Sequence, residues 1–105
     1  MKVYIAGPYS KGDVAVNVRN AIKAGEDVVA EGHTPFVPHL THLWHLMSPH
    51  KIEYWYELDN TWLLVCDCLI RLPGESSGAD AEVALAIKFG KPVYYSVDEW
   101  ICELE

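Results

Sequence analysis

Four short apolar runs, each bounded by Gly, Pro or polar residues and separated by stretches with helical spacing, limit what this chain can fold into more than any other feature. The runs are KVYIAG (2–7), TPFVP (34–38), DCLIRL (67–72) and KPVYYSV (91–97). Between the first two, Asp13 reads as a helix cap. Val14, Val18, Ala21, Ile22, Gly25, Val28 and Val29 fall on one face, and Gly32 reads as the stop. The stretch from Lys51 to about Leu64 predicts a second helix, with Ile52, Trp55, Tyr56, Trp62 and Leu63 on one face. A third helix is predicted from near Ser77 to Gly90, and DEWICELE predicts a short terminal helix capped by Asp98. HLTHLWHLMSPH (39–50) fits either a helical turn or an irregular loop.

Strands that alternate with helices argue for a parallel sheet covered on both faces. Right-handed crossovers then bring every strand-to-helix loop to the carboxyl edge of the sheet, where doubly wound folds bind ligands. Two loops on that edge, GPYSKGD (7–13) and PGESSG (73–78), are rich in small and polar residues. The 105 residues, half of them apolar, suffice for one core, so a single domain over 1–105 is expected.

Charge narrows the partners. Eight basic against fifteen acidic residues give a net charge of −7, with no Lys/Arg cluster, which argues against a nucleic-acid polymer or an anionic membrane. No apolar stretch approaches membrane-spanning length, and MKVYIAG is too short for a secretory apolar region, so a cytoplasmic protein is expected. Cys66 and Cys68 fall on opposite faces of a probable strand and Cys102 lies near the end; the three read as reduced thiols.

Two acids interrupt apolar faces. In the helix from Ser77, the stripe Ala79, Val83, Ala86 and Ile87 contains Glu82. A carboxylate there either bends out to solvent, where it suits the helix dipole, or faces a cleft, because unpaired burial costs several kcal/mol or forces it to bind a proton. Asp59 occupies the matching position among Tyr56, Trp62 and their neighbours. If both helices border the carboxyl edge, the two acids converge on one pocket walled by aromatics. A carboxylate pair in a partly apolar cleft is what glycosyl chemistry requires, one group attacking or shielding an oxocarbenium-like centre and the other managing a proton.

Several residues carry a structural reading beside a functional one. Gly74 and Gly78 allow close backbone approach, although glycine at a strand-to-helix turn is ordinary. Ser77 to Asp80 fits a capping box, which leaves Ser76 free to donate to a ligand oxygen near a helix N-terminus. His39, His42, His45 and His50 have spacings compatible with metal ligation, but no Cys or acid completes a site within that stretch, so pocket lining or helix surface is the default. Trp44, Trp55, Tyr56 and Trp62 read mainly as core, with a base-stacking wall as the alternative.

The segments VYIAGPYS (3–10), LDNTWLLVCDCLIRL (58–72) and SSGADAEVALAIKFGKPV (76–93) together resemble the nucleoside 2-deoxyribosyltransferase-like superfamily, which includes the deoxynucleoside 5′-monophosphate N-glycosidases. The chain looks most like its small bacterial and phage members. The matching elements are Tyr4 and Gly7, Asp59 with Trp62 and Asp67, and Gly78 with Glu82 before Gly90, Lys91 and Pro92. The resemblance implies a flavodoxin-like (Rossmann-like) α/β three-layer sandwich with a parallel sheet of four or five strands. It also implies cleavage or transfer of the N-glycosidic bond of a nucleoside or its 5′-monophosphate, without cofactor or metal, in a homodimer or larger homo-oligomer. Glu82 would be the nucleophile, Asp59 would hold the sugar or protonate the leaving base, and Tyr4 would orient Glu82. Gly7, Pro8, Tyr9, Ser10, Ser76 and Gly78 form the implied substrate-binding set. Ser76 matches a serine of the N-glycosidase branch. Pro8 departs from that branch, which has serine there, leaving Ser10 as the substitute hydroxyl. The rival readings are a non-catalytic nucleotide-binding or sensing module and a metal-dependent hydrolase using His39, His42 and His45.

Overall fold

The computed structural model describes residues 1–105. The elements run β1 (Lys2–Ala6), α1 (Val14–Ala30), β2 (Thr34–Phe36), a 3₁₀ turn (Pro38–Leu40), α2 (Thr41–Met47), α3 (Ile52–Val65), β3 (Cys68–Arg71), α4 (Ser77–Lys88), β4 (Val93–Tyr94) and α5 (Val97–Leu104). The four strands form one sheet in the order β2-β1-β3-β4, and every pairing is parallel. The expected α/β sandwich with a parallel sheet is therefore present, with four strands.

Alternation along the two central strands sorts the core into two layers. Val3, Ile5, Cys68 and Ile70 face α1 and α5, packing with Ala21, Ala24, Val28 and Trp100. Tyr4, Ala6 and Leu69 face α3 and α4, packing with Leu63, Ala79 and Ala86. Because α1 and α3 lie on opposite faces, the chain reverses winding between β1 and β3. That is the topological switch point at which an open α/β sheet leaves a crevice beyond its strand ends.

The capped helix α1 forms as expected. The Asp13 side chain accepts from the backbone N–H of Ala15 and of Val16. Its buried seam is narrower than the apolar spacing suggested: Ala21, Ala24, Gly25 and Val28 are inside, while Ile22 and Val29 are exposed. A short sheet leaves room for only one line of small residues. A Cβ on Gly25 would come within 3.1 Å of the Val37 side chain.

Other expectations are corrected. Ser76, not Ser77, caps α4: its Oγ accepts from the Ala79 N–H at 3.0 Å, and Asp80 turns to Arg71 instead of completing a capping box. Ser96, not Asp98, caps α5 in the same way, through the Glu99 N–H. Cys66 ends α3 and lies outside the strand, yet it and Cys68 do pack on opposite sheet faces; Cys102 is exposed and all three thiols are free. Ile87 is exposed, and Ala79 and Ala86 carry the buried face of α4. On α3 only Leu63 is buried, whereas Ile52, Tyr56 and Trp62 are exposed: the first half of the helix meets α2 through Trp55, and Trp62 lies against Phe36 of the edge strand β2. The ambiguous 39–50 stretch is mostly helical, as the 3₁₀ turn and α2.

The two edge loops are locked against each other. Gly74 has φ +116°, and a Cβ there would lie 2.7 Å from Pro8 Cγ. A Cβ on Gly7 would meet Leu72 Cβ at 3.0 Å. Gly74→Ala is expected to lower stability by about 1–3 kcal/mol through left-handed strain and the Pro8 clash. Gly90→Ala, at φ +73° in open space, should cost less. Urea midpoints of the two variants against the parent check this ordering.

Candidate active site

The carboxyl ends of β1 and β3 supply the floor of the site. Tyr4 is on the central strand and fully buried, on the face covered by α3 and α4. Its hydroxyl donates to the Glu82 carboxylate, which projects from the second turn of α4. Burial and the neighbouring Glu82 charge push the phenol far above its ordinary range, so it remains a donor at any physiological pH. Asp59 of α3 completes the cluster: one of its oxygens is buried without a hydrogen-bond partner, and it feels the Glu82 charge. The two acids that interrupt apolar faces in the sequence are thus brought together over Tyr4.

Burial raises both acids. Glu82 is pushed up to about 7 by desolvation, opposed by the Tyr4 hydrogen bond and the Arg71 charge. Asp59 is pushed up to about 7 by desolvation and by Glu82. Such a pair takes up its protons as a coupled unit. The environment nonetheless distinguishes its members, since Tyr4 and Arg71 both favour anionic Glu82 and no donor reaches the buried oxygen of Asp59. Of the two, Glu82 has the better-supported charge.

The surrounding wall is aromatic. The ring of Phe36 lies 5.6 Å from that of Tyr4 and stacks on Trp62 at 5.4 Å. An open cleft of about 420 Å³, lined by Pro35, Phe36, Val37, Leu40, Thr41 and Trp44, runs along the β2 side. A smaller one of about 140 Å³ lies over Pro8, Asn17, Asn20, Leu72 and Pro73. Neither is lined by Glu82 or Asp59.

The first edge loop is fixed from beneath. Asn17 Nδ2 donates to the carbonyls of Tyr9 and Lys11, at 2.9 and 2.7 Å. His39 Nε2 lies 3.0 Å from the Pro8 carbonyl, which only accepts, so this nitrogen carries the proton. Burial holds His39 below the usual histidine range, so the ring is neutral. Tyr9 leans on His39 and His42, and Ser10 is exposed. In the second loop Ser76 is occupied as an acceptor by the α4 cap but keeps its hydroxyl proton to donate. Gly78 is open, and a Cβ there would meet only Ser76 Oγ at 4.0 Å.

The histidines do not converge. His39 is bound to Pro8, His45 Nδ1 accepts from Trp55 Nε1 at 2.8 Å, and His50 stacks on Tyr54. No group of three or more His, Cys, Asp or Glu side chains is placed to hold a metal ion. Asp67, part of the matched motif, lies at the opposite end of the sheet, where its carboxylate accepts from the Lys2 N–H at 2.7 Å. It ties β1 to the chain entering β3.

Residue-level reading missed Arg71 and Phe36, and it singled out His39 only as a candidate metal ligand, with pocket lining as the default. An arginine inside the apolar run DCLIRL was the available signal for the first, because a charge in a fully buried strand must have partners. Phe36 had no comparable signal, since its role depends on which strand lies beside β1.

The doubly wound parallel sheet with two carboxylates gathered over Tyr4 defines a small α/β protein. A solved 2-deoxyribosyltransferase from the psychrotolerant bacterium Bacillus psychrosaccharolyticus superposes with a TM-score of 0.67 at 20% identity, over 89% of this chain and 69% of that one. The chain belongs to the family described as Domain of unknown function (DUF7768), whose model matches residues 1–96. No curated protein sequence matches it.

The raised carboxyls fix a sign for stability. A carboxyl raised above its unfolded value holds its proton more tightly in the folded chain, so its contribution is full below the unfolded value and is lost as pH rises through about 7. Glu82→Gln keeps an acceptor for Tyr4 and removes the charge. It is expected to be more stable than the parent at pH 8 by about 1–3 kcal/mol, with the difference vanishing near pH 4. Urea unfolding of both proteins across that range measures it.

Proposed function

We propose that the protein cleaves or transfers the N-glycosidic bond of a nucleoside or its 5′-monophosphate, as a single-domain member of the nucleoside 2-deoxyribosyltransferase-like superfamily. The observation that carries this reading is the half-buried Glu82 carboxylate, held by the Tyr4 hydroxyl and coupled to Asp59. The fold shared with a 2-deoxyribosyltransferase supports it.

In the first step a Glu82 oxygen attacks C1′ of the sugar. The C1′–N bond breaks, its electron pair leaves with the base nitrogen, and Asp59 delivers the proton that neutralises it. Tyr4 fixes the attacking carboxylate and shares its charge, so the oxygen reacts from one orientation. Water or a second base then attacks C1′ and gives its proton to Asp59, and the Glu82–C1′ bond breaks to restore the carboxylate. Gly7, Pro8, Tyr9 and Ser10 would line the sugar side, with the Ser76 hydroxyl and Gly78 opposite. Phe36 and Trp62 would offer a face to the base.

No helix is long and apolar enough to cross a membrane, and a cytoplasmic setting suits a nucleoside substrate. The exposed Ile52, Tyr56 and Trp62 on α3 favour a homo-oligomer that covers this side of the site. A second reading, a nucleotide-binding module without turnover, is favoured by one observation: neither open cleft is lined by the carboxylates.

Chromatography of free base released from ribo- and deoxynucleosides and their 5′-monophosphates separates the two. The parent is expected to release base, Glu82→Ala to lose at least about 10³-fold, Asp59→Asn about 10²–10⁴-fold, and Tyr4→Phe less than either. The pH profile should be a bell near neutrality, because Glu82 must be ionised and Asp59 protonated. Ligand binding retained in Glu82→Gln, with no base released by the parent even when an acceptor base is supplied, would establish the binding module instead.

A further inference from the structure

We propose that Arg71 is the positioning residue of the carboxylate site, its guanidinium fixing the Leu72–Ser76 loop to the first turn of α4 and setting a permanent positive charge on the sheet face that Glu82 covers. The inference rests on the reading of Glu82 as the reacting carboxylate.

Arg71 is the last residue of β3, in register with Ala6 of β1. Two residues beyond Leu69, it points to the α3–α4 side of the sheet, the side of Tyr4 and Glu82. Its guanidinium makes three bonds at once. Nη1 donates to the Leu72 carbonyl, and Nη2 donates to the Gly74 carbonyl and to Asp80 Oδ1, both at 3.0 Å. Gly74 is the residue that presses on Pro8, so the same clamp sets where the second loop meets the first. A lysine could supply the charge but not this fork.

The ion pair does not by itself account for the buried cation. The Arg71 side chain is 10% exposed whereas that of Asp80 is 72% exposed, so the carboxylate end is solvated and contributes little. The guanidinium lies on the α3–α4 side of the sheet with Tyr4 and Glu82, and its charge favours the ionised form of Glu82. The groups around Glu82 are Tyr4 from β1, Asp59 from α3 and Arg71 from β3, with Asp80 nearby on α4 itself. Arg71 is the one cation among them, and it opposes the desolvation that favours the protonated form of Glu82.

The test is a ¹³C NMR titration of the Glu82 side-chain carboxyl, paired with amide hydrogen exchange over residues 72–80. Arg71→Met is expected to raise the Glu82 midpoint by about one pH unit and to speed exchange in the loop. Arg71→Lys should restore the midpoint but not the protection. Asp80→Asn should move the midpoint the other way, because it removes a negative charge that partly neutralises the guanidinium; general loosening would not give opposite signs. A folded Arg71→Met with the parent's midpoint and exchange overturns the proposal. If Arg71→Met does not fold by circular dichroism, an unmoved or raised midpoint in Asp80→Asn overturns it. Base release adds a separate arm in which Arg71→Met loses kcat and Arg71→Lys recovers part of it. A parent that releases no base would sink the glycosidic reading while leaving the titration to judge Arg71.

Discussion

The hydrogen bond from Tyr4 to Glu82 joins a central strand of the sheet to helix α4, and the rest of the candidate site is arranged around it. A phenol with no access to water has to donate somewhere, and a carboxylate under a helix has to accept. Each satisfies the other. The consequence is a carboxylate kept beside an apolar layer, which is costly for folding.

That cost is spread over several elements. The α3–α4 layer sets Ala6, Ala79 and Ala86 among Tyr4, Leu63 and Leu69, and the two acids lie half-buried beside it. The opposite layer compensates with larger side chains, including Ile5, Ile70 and the fully buried Trp100. One face of the sheet is therefore a conventional core and the other is a core with a polar centre. Such a division accords with the tendency of functional sites to be less stable than the scaffold that holds them.

The edge loops show how precision reaches the site from outside it. Gly7 and Gly74 are tight against Leu72 and Pro8, Asn17 folds the first loop over α1, and His39 holds the Pro8 carbonyl. None of these residues is an acid or a nucleophile. They determine instead how far apart the two loops stand over the carboxylates, and Arg71 ties that spacing to α4.

Local pattern alone was enough to reveal the alternating strands and helices, the Asp13 cap and the parallel sheet, because these follow from periodicity and short-range hydrogen bonding. It was also enough to mark Glu82 and Asp59, since an acid on an apolar face violates a rule that depends only on helical spacing. Which serines cap α4 and α5 was missed by one or two residues, as helix ends are set by backbone geometry that composition only biases. The exposure of Ile52, Tyr56 and Trp62 was missed for a different reason: apolar spacing shows that a face exists but not what lies opposite it. The meeting of Tyr4 and Glu82 across 78 residues was implied by the family resemblance, whereas only the tertiary structure decided that Phe36 lies between Tyr4 and Trp62 and that Arg71 reaches Gly74 and Asp80. Those contacts depend on strand order and on which helix covers which face, and both emerge when the whole chain minimises its exposed apolar surface and unpaired polar groups together.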